Sequence, residues 1–258
     1  MCGLSQKVAA AMLLLACGRP ALCATELRTS ARQETAPMYV PLEHDGKHFI
    51  GGLCIDILRA IEKVAPDLRF VGDQQWVPVG RVDVGVTYGK LDVACGVLRT
   101  ASREQKFVFV EPALFTLRYY LVARADDDVA VRNWDDVRKL GADGTMLLVH
   151  GYGMLEKLMP EGLHVDANAR DVRSNLMKLA IGRARFYLHR DPGLRAEMVK
   201  AGVQGKLRVL PEAMESADFH MVIAKSVPQP VRDRVQDAIA CLERSGELAR
   251  LYRKWSGS

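Results

Sequence analysis

The sequence is short of the features that mark several broad classes of function. Its 36 lysines and arginines against 31 acids leave a net charge of only +5, and no run of five or more basic residues occurs. Nucleic-acid surfaces cluster their cations, so this scatter argues against one. There is no C-x-x-C pair and no cysteine–histidine cluster, the usual spacings of a metal site. Neither a G-x-G-x-x-G fingerprint nor a P-loop lysine pattern is present, and the "GYG" at 151–153 is by itself weak. After the N-terminal residues no apolar stretch reaches transmembrane length. No nucleophile–base pattern or paired acid–base constellation stands out.

What is present fits a globular protein. The 258 residues are 49% apolar and 26% charged, enough for one large domain or two small lobes with real cores. The first residues read as a leader over 1–24. Lys7 is a positive flank, "VAAAMLLLA" is an apolar run too short to span a bilayer, and "ALCA" offers a cleavage site. "LLAC" at 14–17 also resembles a lipobox, with Cys17 as the lipidated residue; simple cleavage is the favoured expectation. Of six cysteines, Cys2, Cys17 and Cys23 fall in the leader. Cys54 and Cys95 lie in apolar surroundings and Cys241 in an amphipathic helix, so free buried thiols are expected.

Strand and helix patterns alternate along the rest, which predicts an α/β class. "ELRTSA" (26–31) reads as a first strand, and "APMYVPLEHDGKHF" as a loop. "GGLCIDILRAIEKVAPDL" places Ile55, Leu58, Ile61 and Ala65 at helical spacing. A second helix is expected near 81–88, with Gly89 behind it. "LDVACGVL", "KFVFV", "LRYYLVAR", "GTMLLVHGYG" and "DFHMVIAK" read as strands. "IGRARFYLHRD" reads as a strand with Asp191 as the N-cap and Pro192 as the first residue of the next helix. The C-terminal helical region is expected to break near Gly246. Glycine-bearing strand-to-helix loops at Gly51–Gly52 and Gly151–Gly153 suit ligand groups at helix N-termini.

The order of these pieces is similar to that of the polar-amino-acid-binding proteins of bacterial ABC transporters. The resemblance rests on "GGLCIDILRAIEK", "GKLDVACGVLRTASREQKFVFVEP", "LRYYLVAR", "NWDDVRKL", "VHGYG", "IGRARFYLHRD" and "GELARLYRKW", and it covers about 26–256. It implies a type II periplasmic-binding-protein fold of two α/β lobes joined by two crossover strands. Lobe 1 would hold 25–120 and return at 219–258; lobe 2 would hold 121–218. It further implies a monomer in the periplasm, a carboxylate-bearing ligand in the inter-lobe cleft, an ABC permease as partner and no cofactor.

By the same resemblance Arg103, in the T-x-x-R turn with Thr100, would grip a carboxylate through its planar fork. Gly96 would allow close approach. Arg32, with Thr35 and Pro37, is similar to the glutamate- and aspartate-binding members, which favours an acidic ligand. In lobe 2 the family's ammonium-binding aspartate has no clear counterpart. The position counted from Gly182 is Arg190, and Asp191 follows. If Asp191 faces the cleft, an amino acid is expected; if Arg190 does, an anion without an amino group. Gly151 and Tyr152, with Gly153, stand where the family has a G-T-T carboxylate loop. Tyr39 and Trp76 are candidates to refill the cleft walls. A dehydratase-like enzyme on the same fold, using Glu34 or Glu111 as general acid, and a ligand-sensing partner of a membrane receptor are the alternative readings.

Overall fold

The computed structural model describes residues 24–256. The leader, with Cys2, Cys17 and Cys23, lies outside the described residues. The chain opens with β1 (Thr25–Arg28) and β2 (Ala31–Arg32), where the sequence suggested one strand. β3 (Val40–His44) and β4 (Lys47–Gly51) then form an antiparallel hairpin in register Val40↔Gly51 to His44↔Lys47. The pattern there reads as loop. Asp45 and Gly46, with φ of 50° and 69°, make the turn, and an Asp-Gly pair between two runs is the signal for it.

α1 (Leu53–Val64) buries Ile55, Leu58 and Ile61 as the spacing predicts, with Cys54 and Ile57 beside them. Burying a leucine or isoleucine of this kind contributes about 1.5–3 kcal/mol. The first N–H groups of α1 are satisfied by the preceding loop: Leu53 N donates to Pro37 O and Cys54 N to Met38 O, each at 3.0 Å. Gly52, at φ 124°, permits this approach. The start of α1 therefore fixes the loop that carries Arg32 to Met38.

β5 (Leu68–Val71) pairs parallel with β1, and β6 (Trp76–Val77) parallel with β2. They are followed by α2 (Val79–Thr87), β7 (Val93–Leu98), the one-turn α3 (Ala101–Glu104) and β8 (Phe107–Phe109). β9 (Phe115–Arg124) leads to α4 (Trp134–Lys139), β10 (Met146–Leu147), α5 (Met154–Leu158), β11 (Val165–Asp166), α6 (Val172–Ala180) and β12 (Phe186–Asp191). α7 (Leu194–Ala201) starts from Gly193, not Asp191. Asp191 is still the last residue of β12, so the expected N-cap moves two residues on. β13 (Leu207–Ala224) runs 18 residues, well beyond "DFHMVIAK". α8 (Gln229–Arg244) and α9 (Glu247–Ser256) are separated at Gly246, φ 75°.

One seven-stranded sheet organises the molecule, in order β11-β10-β12-β9-β13-β7, with β8 also on β13. β9 and β13 are antiparallel partners from Leu207↔Arg124 to Phe219↔Phe115. They belong to both halves: β12, β10 and β11 extend the sheet from β9, while β7 and β8 join the last third of β13. The first lobe is closed by α1, α2, α8 and α9, the second by α4 to α7. β12 shows how its lobe is layered. Phe186 and Leu188 face one apolar cluster, and Tyr187 faces a second with Leu176 of α6 and Leu194 of α7. This is the α/β, two-lobed architecture that the alternation and the resemblance suggest.

Two cysteine expectations are corrected. Cys54 and Cys95 form a disulfide, with Cα atoms 5.8 Å apart, joining α1 to β7. Apolar surroundings mark a buried thiol and a buried bridge alike, and only the packing of α1 on β7 separates them. Cys241 on α8 is free and exposed.

Candidate functional site

Between the lobes lies a cavity of about 30 Å³ bounded by Arg32, Thr35, Met38, Val79, Leu98, Arg103, Tyr119, Gly151, Tyr152, Gly153, Arg190 and Phe219. Larger grooves lie elsewhere on the surface; the one that also gathers three arginines, Arg124, Arg183 and Arg185, sets them among Asp126, Asp127, Asp128 and Asp143, whereas the inter-lobe cavity has no acidic residue on its wall.

Arg103 sits in α3 and is only 6% exposed. Its Nε donates to Asp83 Oδ2 at 2.8 Å and its Nη1 to Leu98 O at 3.1 Å. Thr100 is the N-cap of α3 and accepts from Arg103 N and Glu104 N. It is buried, and it stands behind the arginine and does not line the cavity. Asp83 was not singled out by sequence reasoning. On α2 it looks like any charge on a helix's polar side, and only the approach of α3 makes it a partner.

Arg32 is 5% exposed. Its Nη2 donates to Cys95 O at 2.9 Å and also to Gly96 O, and Thr35 Oγ1 donates back to Arg32 O at 2.7 Å. Gly96 has φ 70° inside β7, where the register of β7 against β13 shifts. A Cβ on Gly96 would come within 2.8 Å of Met38 Sδ and 3.0 Å of Arg32 Nη2. The glycine therefore makes room for Arg32. It does not line the cavity, which corrects the expectation that it admits ligand directly. Burial pulls the Arg32 guanidinium below its ordinary pKa, opposed by Tyr39 and reinforced by Arg103 and Arg190.

β12 decides the question left open between Arg190 and Asp191. Successive residues of a strand face opposite ways. Arg190 is 3% exposed and lines the cavity. Asp191 is exposed and lines a separate groove with Arg118, Tyr120 and Tyr252. The cavity wall thus carries a cation where an aspartate would accept an ammonium. Arg190 lies over the Tyr152 ring, its Cζ 4.9 Å from the centroid, and its Nη2 donates to Glu34 O at 2.9 Å. His189 faces away beside Tyr187, and burial followed by Arg190 holds its pKa down to about 3. The ring is neutral at ordinary pH and adds no charge.

The lobes are closed on one another. Tyr152 Oη and Arg190 both donate to the carbonyl of Glu34, a residue in the left-handed region at φ 58°. The Glu34 carboxylate accepts from Val172 N at 3.0 Å. On the other side, Ser102 N and Oγ donate to Glu156 at 2.9 and 2.5 Å. Gly151 packs against Gly80, and a Cβ on Gly153 would strike the Arg103 guanidinium. The one side-chain hydroxyl of the loop 151–153, on Tyr152, is directed to the Glu34 carbonyl, and the loop's glycines let the second lobe reach Arg103.

Arg32, Arg103, Arg190, Gly151 and Tyr152 are thus brought together, while Thr100, Gly96 and Asp191 are not on the cavity wall. Tyr39 is buried and Trp76 partly exposed in a neighbouring groove with Glu34 and Arg170. Glu111 pairs with Arg99, with its other oxygen 3.6 Å from His220 Nδ1. Neither Glu34 nor Glu111 lines the cavity. Tyr119 completes the wall and was missed, although the alternation of Leu117, Tyr119 and Leu121 in β9 makes it an inward position.

No curated protein sequence matches the chain. Solved structures match it in fold. The substrate-binding protein of an amino acid ABC transporter superposes with a TM-score of 0.72 at 20% identity, covering 91% of this chain and 100% of that one. An amino acid ABC transporter substrate-binding protein from Streptococcus pneumoniae, bound to L-arginine, gives 0.71 at 19% identity over 90% and 94%. A histidine kinase sensor domain with similarity to periplasmic binding proteins gives 0.74 at 17% identity over 91% and 97%. The family of bacterial extracellular solute-binding proteins, family 3, matches residues 31–258, so nearly the whole described fold is accounted for, and the chain belongs to that family.

Proposed function

We propose that this protein captures a small carboxylate-bearing solute between its lobes in the periplasm and hands it, as a monomer, to an ABC permease of the inner membrane. In this reading lobe 1 comprises 25–120 and 219–258, lobe 2 comprises 121–218, and β9 and β13 are the hinge. The observation that carries it is the convergence of Arg32, Arg103 and Arg190 on one inter-lobe cavity. Each guanidinium offers a planar pair of donors matched to a carboxylate. Arg103 is paired with Asp83, but Arg32 and Arg190 have no carboxylate partner among the described residues; uncompensated buried charges are costly, on the order of several kcal/mol each, so an anion is the partner they call for.

A cationic ligand such as the arginine bound by one similar structure does not suit this wall, because it would add a fourth positive charge. A dehydratase-like reaction needs a general acid at the substrate, and Glu34 and Glu111 are engaged elsewhere. Capture is therefore the favoured reading. The test is a thermal-shift panel of acidic, neutral and basic amino acids and dicarboxylates. Acids should raise the melting temperature by mass action, and Arg103→Ala should abolish the rise. Stabilisation by neutral or basic amino acids alone, or an unchanged response in Arg103→Ala, would sink the proposal.

A further inference from the structure

We infer that the ligand is a short-chain dicarboxylate without an ammonium group. This rests on the reading of the cleft as a carboxylate site and names its substrate class. The cavity wall holds three arginines and no acidic side chain. The carboxylate that directly contacts one of them is Asp83, on Arg103. Three positive charges less one leave +2, which a dianion neutralises and a zwitterion with one net charge does not. Glu34 and Glu156, the next acids around the cleft, face Val172 N and Ser102. An ammonium entering here would meet guanidiniums and no carboxylate free to receive it. Asp191, the residue best suited to that task, is on the opposite face of β12 in another groove.

Two further observations point the same way. Nε of Arg32 and Nε of Arg190 are buried without a hydrogen-bond partner among the described residues, and a buried donor of this kind needs an acceptor. The arginines are also on different supports. Arg32 and Arg103 are held by the first lobe's own carbonyls and Asp83. Arg190 projects from β12 in the second. A molecule with a carboxylate at each end spans these anchors, whereas a single carboxylate satisfies only one. At about 30 Å³ the closed cavity has room for little more than a water, so the lobes must part to admit any of these anions.

The experiment is isothermal titration of the exported chain with succinate, glutarate, L-aspartate, L-glutamate, butyrate, inorganic phosphate and L-arginine. Succinate or glutarate should bind at least about ten-fold more tightly than aspartate or glutamate. Arg190→Gln should weaken the dicarboxylate by about a hundred-fold and butyrate, with its single carboxylate, by much less. If Arg190→Gln does not fold, Arg190→Lys keeps the charge and should still lose about ten-fold through the missing fork. Aspartate or glutamate binding as tightly as the dicarboxylates would overturn the inference and leave the acid-capture reading standing. Binding of arginine alone would overturn both. Phosphate as the sole ligand, or no heat from any compound, would overturn the dicarboxylate assignment.

Discussion

The two walls of the cleft hold their arginines by different means. On the first lobe, Arg103 is braced by Asp83 and the Leu98 carbonyl, and Arg32 by the carbonyls of Cys95 and Gly96 beside the Cys54–Cys95 disulfide. Every one of those partners is in the same lobe. On the second, Arg190 lies on Tyr152, and its hydrogen bond to Glu34 O reaches across to the first lobe. The first wall is therefore braced without contact from the second, while the hydrogen bond of Arg190 to Glu34 depends on the lobes' meeting. A site built this way can take an anion on the fixed wall first and complete its grip by hinge motion. Fixed donors also lose little freedom on binding, so the first wall should supply most of the affinity and the second most of the selectivity.

That contrast can be broken at its strongest point by removing the bridge. Cys54 and Cys95 are 41 residues apart, and a loop of that length corresponds to about 4 kcal/mol of stabilisation by the chain-entropy model. Cys54→Ala with Cys95→Ala should lower the unfolding free energy read from urea denaturation by that order and weaken acid binding, since the Cys95 carbonyl orients Arg32. Unchanged affinity in a folded double variant would show that Arg32 is positioned without the bridge.

Next in size is Asp83→Ala. It leaves the Arg103 side chain, 7% exposed, without its carboxylate. A stability loss of about 2 kcal/mol is expected, discounted from the full buried-pair figure because Asp83 itself is 26% exposed. Ligand anions should at the same time protect this variant more than the parent in thermal-shift measurements. If they do not, Asp83 has no electrostatic share in the site.

The smallest effect concerns closure. Burial pushes the Glu156 carboxyl up, but hydrogen bonds from the Ser102 side chain and backbone and from Thr100, with the charge of Arg103, outweigh it, so it lies below its ordinary value of 4.5. A depressed carboxyl stabilises the closed form above pH 4.5, and that contribution fades as pH falls through the lower folded value. Small-angle scattering should show the lobes parting slightly on acidification in that range, and Glu156→Gln should remove the dependence. A profile unaltered in Glu156→Gln would assign the opening to other carboxyls.

Much of the architecture was legible because periodicity is a local property. Ile55, Leu58 and Ile61 had to share one face of a helix, and Gly246 had to end one. The β3–β4 hairpin reads as loop because of its prolines, although Asp45-Gly46 carries the turn signal for it. Arg103 and Arg32 could be placed by their neighbours in the chain order. Asp83 could not, because its meaning comes from a side chain 20 residues away, and the Cys54–Cys95 bridge could not for the same reason.

The sequence by itself determined the α/β alternation, the helical faces and the presence of cations at the first lobe's turn. Tertiary structure alone decided which residue of "LHRD" faces the inter-lobe cavity. A strand turns neighbours to opposite faces, so a single step of register sends Arg190 into the cleft and Asp191 out of it, and that step is fixed by how β12 pairs with β9.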